Sequence, residues 1–137
     1  RYGVLVDIGL AVFERRPIDL AMPKVNLIWQ GEANARCLRS FPFCQAPPLV
    51  LNITGSETLS VREIALEFGR HFGIEPSFVS ETEGSSALLS NASKARELFG
   101  DPKISSQQMI PWIANWIENG GPLLNKPTHF QARDGRF

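Results

Sequence analysis

A chain of 137 residues with 14 basic and 14 acidic side chains fits one domain without net charge, and at that length folding buries roughly two-thirds of the unfolded surface. With 43% hydrophobic and 20% charged residues, its composition is that of an ordinary globular protein, not a disordered or membrane chain. The balanced charge and the lack of a Lys/Arg run exclude the footprint of a nucleic-acid binder, and no apolar stretch approaches the roughly 20 residues that span a bilayer.

The chain opens Arg1-Tyr2-Gly3 without an initiator Met and enters an apolar run at once, which reads as a piece of a longer protein. Val4, Leu5, Ile8, Ala11 and Val12 recur at helical spacing. Arg15-Arg16 and Pro17 are expected to form its cationic last turn and its stop. Ile18 to Leu20 and Val25 to Trp29 read as short accessory strands. From Gln30 to Phe41 the set Ala33, Cys37, Leu38 and Phe41 keeps helical period, with Glu32 in the first turn where the helix dipole favours an anion. Cys37 and Cys44 make no disulfide framework, and both are expected as packing residues in a reducing cytoplasm.

Pro42, Pro47 and Pro48 enforce a loop, after which Leu49-Val50-Leu51-Asn52-Ile53-Thr54 has the pattern of a strand covered on both faces. Ser60-Val61-Arg62-Glu63 is a capping box. Val61, Ile64, Ala65, Phe68 and Phe72 continue it as one apolar stripe, closed by Gly73 and Pro76. Phe78-Val79 gives another strand. Residues 49–80 are therefore expected to form a parallel strand pair joined by a βαβ crossover, and the fold class is α/β, a small helix-rich domain. Ser90 or Asn91 is placed to cap a helix through Phe99, with Gly100 as its stop. Ser105 and Gln108 offer a second capping box before Met109, Trp112, Ile113, Trp116 and Ile117, a stripe read as core. Pro111, one turn inside that helix, is expected to bend it or shift its start. Domain organisation follows: a body over residues 1–122 and a polar, basic tail over 123–137, held through Phe130 and Phe137 or a symmetry partner.

Several chemistries lack their residues. There is no G-x-G-x-x-G or G-x-x-G-x-x-G cradle for a pyrophosphate. The only tyrosine, Tyr2, has Val6 four residues on, not the Lys a Tyr-Lys proton-transfer pair requires. His71 and His129 show no zinc spacing with the cysteines, and His71 reads as a partly exposed helix residue. No serine sits in a G-x-S-x-G elbow. No catalytic, cofactor-binding or metal residue is therefore assigned.

Four strings do carry a resemblance. Leu51-Asn52-Ile53-Thr54-Gly55 with Leu59-Ser60-Val61-Arg62-Glu63 is similar to an "x-N-x-G…S-V-x-E-L" strand and helix, and Asn91-Ala92-Ser93-Lys94-Ala95-Arg96-Glu97-Leu98-Phe99-Gly100 to "D-x-S-K-A-x-x-x-L-G". Ile28-Trp29-Gln30-Gly31-Glu32-Ala33 resembles "I-H-V-x-D-L-A", with Trp29 at the His and Glu32 at the Asp. Arg1-Tyr2-Gly3 corresponds to an "R-x-x-x-x-Y-G-P" region. In this order the strings resemble the C-terminal part of extended short-chain dehydrogenases, the NAD-dependent epimerase/dehydratase family.

The resemblance implies a C-terminal, substrate-binding domain without its Rossmann half. That absent partner would bind NAD or NADP and carry the catalytic Tyr and Lys. The chain alone would then be catalytically incomplete, expose an apolar junction, and take a small-molecule substrate, a sugar or related polar molecule. Members acting on nucleotide sugars place arginines where this chain has Val25 and Glu81; a carboxylate repels a diphosphate, and Lys24 is a weaker substitute for a bidentate guanidinium. A typical nucleotide sugar is therefore not expected. By position in the family fold, Asn26, Trp29 and Gln30 are the candidate substrate contacts, while Lys126, His129 and Arg133 are tail residues within reach of substrate or a second subunit of a homo-oligomer. The alternative is a non-enzymatic α/β interaction or binding module, since fold does not determine function.

Overall fold

A computed structural model describes residues 1–132; Arg133 and Phe137 lie outside the described residues. Among these, the order is α1 (Val4–Phe13), β1 (Lys24–Val25), α2 (Gln30–Arg39), a short 3-10 turn (Phe41–Phe43), β2 (Leu59–Ser60), α3 (Val61–Phe72), α4 (Ser93–Phe99) and α5 (Ser106–Glu118). The chain is a small helix-rich α/β domain whose one sheet is the two-stranded antiparallel pair β1–β2, with Lys24 opposite Ser60 and Val25 opposite Leu59.

Helices α1, α3 and α5 pack against one another around a core that includes Ile8, Val12, Phe68 and Ile110, with Ile18 and Leu20 from the connection after α1. Helix α1 buries Leu5, Val6, Ile8, Gly9, Ala11 and Val12, the near-all-round apolar pattern of a helix enclosed by its neighbours. It ends at Phe13, so Arg15 and Arg16 lie past its last turn instead of within it. Helix α3 follows its expected span: Ser60 Oγ accepts from Glu63 N, the forward half of the capping box, and Gly73 closes it with φ 65°. In α5 both halves of the Ser105–Gln108 box form, and the helix continues through Pro111. For α4 the cap is Ala92, and Asn91 supplies its side-chain oxygen to Ser93 N at 2.9 Å.

The expected βαβ crossover over residues 49–80 is not what forms. Residues 49–54 run without a ladder, and Phe78 makes a parallel bridge to Ile18 instead. Ile18 N donates to Ser77 O at 2.9 Å and Val79 N to Ile18 O at 3.0 Å, so the edge that Leu49–Thr54 was expected to meet is already occupied. That segment is tied down by side chains: Asn52 Nδ2 donates to Asn91 O at 3.0 Å, and Asn26 Nδ2 to Gly55 O at 3.2 Å. Val50 is left exposed, so the double-sided cover that its apolar pattern implied is absent.

Helix α2 also departs from its pattern. Leu38 and Phe41 point outward, and Cys37 and Cys44 are exposed, not packed. The buried face of α2 is polar instead. Arg36, 4% exposed, donates to Gly100 O at 2.8 Å, placing a cation at the carbonyl end of α4 where the helix dipole favours it. Glu32 accepts from Lys103 N at 2.6 Å and Ile104 N at 3.1 Å. Charge-assisted bonds thus replace the hydrophobic docking expected from period alone. The tail returns across α1: Thr128 donates both its N–H and its hydroxyl to Asp7 Oδ2, at 2.7 and 2.6 Å, and Phe130 packs against the core. Among the described residues no helix is long and apolar enough to cross a membrane.

Candidate functional site

A cleft of about 540 Å³ opens between the start of the chain, the segment after β1, and α5. Its rim is aromatic: Tyr2, Trp29, Trp112 and Trp116. Leu27 and Ile113 line it too, and its base reaches the buried residues Leu5, Met109 and Ile117. Among the described residues no carboxylate lines it.

Local chain geometry sets the rings. Trp29 is the N-cap of α2 in extended conformation, and its indole lies across Gly31, where any Cβ would collide with the ring. Trp29 meets Trp112 edge to face at 6.4 Å between centroids and 68° between planes, an arrangement favoured by the ring quadrupoles. Trp116 lies over Gly121 in the same way, and its Nε1 donates to Pro122 O at 3.3 Å. The Arg1 guanidinium stands 6.0 Å from the Trp116 ring centroid, within cation–π reach.

Of the sequence-expected contacts, Trp29 and Gln30 border this cleft and Asn26 does not. Asn26 is a structural clamp. Its Nδ2 donates to Gly55 O and, at 2.7 Å, to Ser90 O, while its Oδ1 accepts from Ser90 N at 3.2 Å. Those bonds occupy both ends of the amide and join the cleft-bordering segment to two distant loops.

Trp112 and Trp116, read from the sequence as core, are 51% and 38% exposed and belong to the cleft. The core face of α5 is Ser106, Met109, Ile110, Ala114 and Ile117. At 100° per residue, these and the two tryptophans cover an apolar arc of roughly 200°, far wider than the roughly 100° stripe that one core contact uses. That excess width was the available signal for a second apolar surface.

No protein-family model and no curated protein matches this chain.

A smaller cleft of about 290 Å³ separates α1 from the tail and brings Lys126 and His129 together with Arg16, Asp7 and Asp19. Its charges are already engaged in part: Arg16 Nε pairs with Glu14 at 2.6 Å, Asp7 holds Thr128, and Asp19 Oδ1 accepts from Ala21 N at 2.8 Å. His71 lies on the surface of α3, 3.8 Å from Glu67. Among the described residues no group of three or more His, Cys, Asp or Glu is placed to hold a metal.

Strand β2 runs straight into α3 with Ser60 as its cap, without the glycine turn through which backbone amides approach a pyrophosphate. Apolar side chains are also exposed at Leu38 of α2 (65%), Phe41 (67%) and Val50 (71%).

Proposed function

We propose that this chain is the substrate-binding part of an NAD(P)-dependent epimerase/dehydratase of the extended short-chain dehydrogenase type, with the dinucleotide and the Tyr-Lys pair carried by a Rossmann part outside these residues. One observation carries the reading. The resemblance assigns Trp29 and Gln30 to the substrate border and sets Arg1-Tyr2-Gly3 just past the catalytic pair. These two segments, far apart in sequence, line one cleft. In this reading α1, α3, α5 and the parallel bridge Ile18–Phe78 form the C-terminal lobe of that fold.

The positions that would hold a diphosphate speak against a nucleotide sugar. Val25 is buried in the core. Glu81 lies 3.6 Å from Arg62, whose guanidinium is also bonded to Glu83 at 2.9 Å and rests over Phe78 at 4.4 Å. No guanidinium pair is thereby gathered for phosphate recognition.

Steady-state kinetics of the full-length enzyme test the proposal. Trp29→Ala and Gln30→Ala are expected to lower kcat/KM for substrate by about tenfold or more, the value of roughly 1.4 kcal/mol of binding, with dinucleotide affinity unchanged. Unaltered kcat/KM in both variants, or turnover by the purified 137-residue chain with added dinucleotide, would overturn it.

A further inference from the structure

All three tryptophans of the chain stand on this one cleft, and what they select deepens the reading just given, on which it rests. Each ring stays part-exposed, Trp29 at 43%, Trp112 at 51% and Trp116 at 38%, while its position is set: Trp29 and Trp112 brace each other at 6.4 Å, and Trp116 is tied to Pro122 O. Rings already held in place lose little rotamer entropy when a ligand arrives, so stacking on them is efficient.

Polar recognition, by contrast, is sparse. One of the two N–H groups of the Gln30 amide is committed to Asn34 Oδ1 at 3.0 Å, and Trp116 Nε1 to Pro122 O. The cleft keeps the Tyr2 hydroxyl, the Gln30 oxygen and its other N–H, the indole N–H groups of Trp29 and Trp112, and the Arg1 guanidinium above Trp116. A sugar carries several hydroxyl groups, and each one buried without a partner costs about 1–3 kcal/mol. Among the described residues this face offers those few side-chain groups, and no carboxylate, to match them. Its volume of about 540 Å³ lies within the range of small-molecule pockets, which are mostly apolar with a few orienting polar groups.

We infer that the cleft takes an uncharged, planar ring system stacked among Trp29, Trp112 and Trp116, in place of the sugar that the family resemblance implies. Coumarin, an uncharged flat bicyclic lactone, is the probe, and methyl β-glucopyranoside its polar counterpart. Each is titrated into the isotope-labelled chain while the indole Nε1–H resonances of the three tryptophans are followed by NMR. Coumarin is expected to shift two or more of the three resonances saturably, and the glucoside to shift none over the same range. Trp112→Ala, a change at a half-exposed site that leaves the dispersion of the amide spectrum intact, weakens coumarin about fivefold, the worth of one lost ring contact.

Absence of a saturable coumarin shift overturns the inference, as does a glucoside that moves the indoles at lower concentration. The second outcome refutes the ligand class alone and leaves the cleft as a substrate face. If neither probe moves the indoles the ligand class falls, and the proposed function is judged separately by the Trp29 and Gln30 kinetics of the full-length enzyme.

Discussion

Alanine at Gly55 puts a methyl group against the Leu27 carbonyl oxygen, under the 3.0 Å that real Cβ contacts respect. The obstacle is main chain, so relief requires the segments around residues 27 and 55 to separate. Gly55 O accepts from Asn26 Nδ2 at 3.2 Å, and the same amide nitrogen reaches Ser90 O at 2.7 Å, so separation loads a clamp joining three segments. Overpacking costs about 1–3 kcal/mol, and one weakened hydrogen bond adds about 1 kcal/mol. The expected loss is therefore about 2–4 kcal/mol.

Gly73→Ala supplies the contrast: φ is 65° there, but an added Cβ meets nothing within 4 Å. Left-handed backbone alone costs about 1–2 kcal/mol. With a urea slope of about 2 kcal/mol per molar, Gly55→Ala is expected to lower the unfolding midpoint by about 1–2 M and Gly73→Ala by about half to one molar. Because Leu27 also lines the cleft, Gly55→Ala should change the tryptophan emission of the folded state, and Gly73→Ala should not. An unmoved midpoint for Gly55→Ala would refute the argument that close approach of two chains selects glycine at this position.

Asn26→Asp keeps the acceptor for Ser90 N but loses both donations and sets a carboxylate against two carbonyls; urea unfolding should show a loss of about 2–4 kcal/mol, and a change under half a kcal/mol would deny the clamp. Asp7→Ala removes the acceptor of both Thr128 bonds, so amide hydrogen exchange at Thr128 should accelerate by an order of magnitude or more, as for loss of about 1.5–3 kcal/mol of charged hydrogen bonding, while α3 amides keep their protection. Pro111→Ala restores an amide inside α5 at an exposed position and is expected to raise the urea midpoint, by an amount up to the roughly 3 kcal/mol that interior proline costs; a lowered midpoint would mean that the ring supplies packing which outweighs the lost bond.

Helix α3 and the start of α5 were legible in the sequence because their signals are local. A Ser60 hydroxyl reaches Glu63 N, Gly73 turns left-handed, and Ser105 and Gln108 exchange bonds over three residues. Each such decision involves one turn of chain, and nothing distant overrides it. The border of the candidate cleft was legible in part. Trp29 and Gln30 were singled out and do border the cleft, whereas Asn26, next to them in sequence, is spent on Gly55 and Ser90, partners that no local pattern names. Periodicity reports that a residue has an apolar neighbour on its face but not whether that neighbour is core, open cleft or nothing, which is why it points to core for Trp112 and Trp116 and to cover for Leu38 of α2 and Phe41 of the turn that follows.

The sequence by itself determined roughly where the helices lie, the Ser60, Gly73 and Ser105 caps of α3 and α5, and the apolar stripes of α1 and α3. Tertiary structure alone decided which edge Phe78 meets, Ile18 and not Leu49–Thr54, that α2 docks through Arg36 and Glu32, and that three tryptophans converge on one cleft. The physical reason is range. Capping and amphipathic period act within a few residues, while strand partners, side-chain bonds to distant backbone and clefts depend on which surfaces compete for the same neighbour, and that competition is settled only when the whole chain has packed.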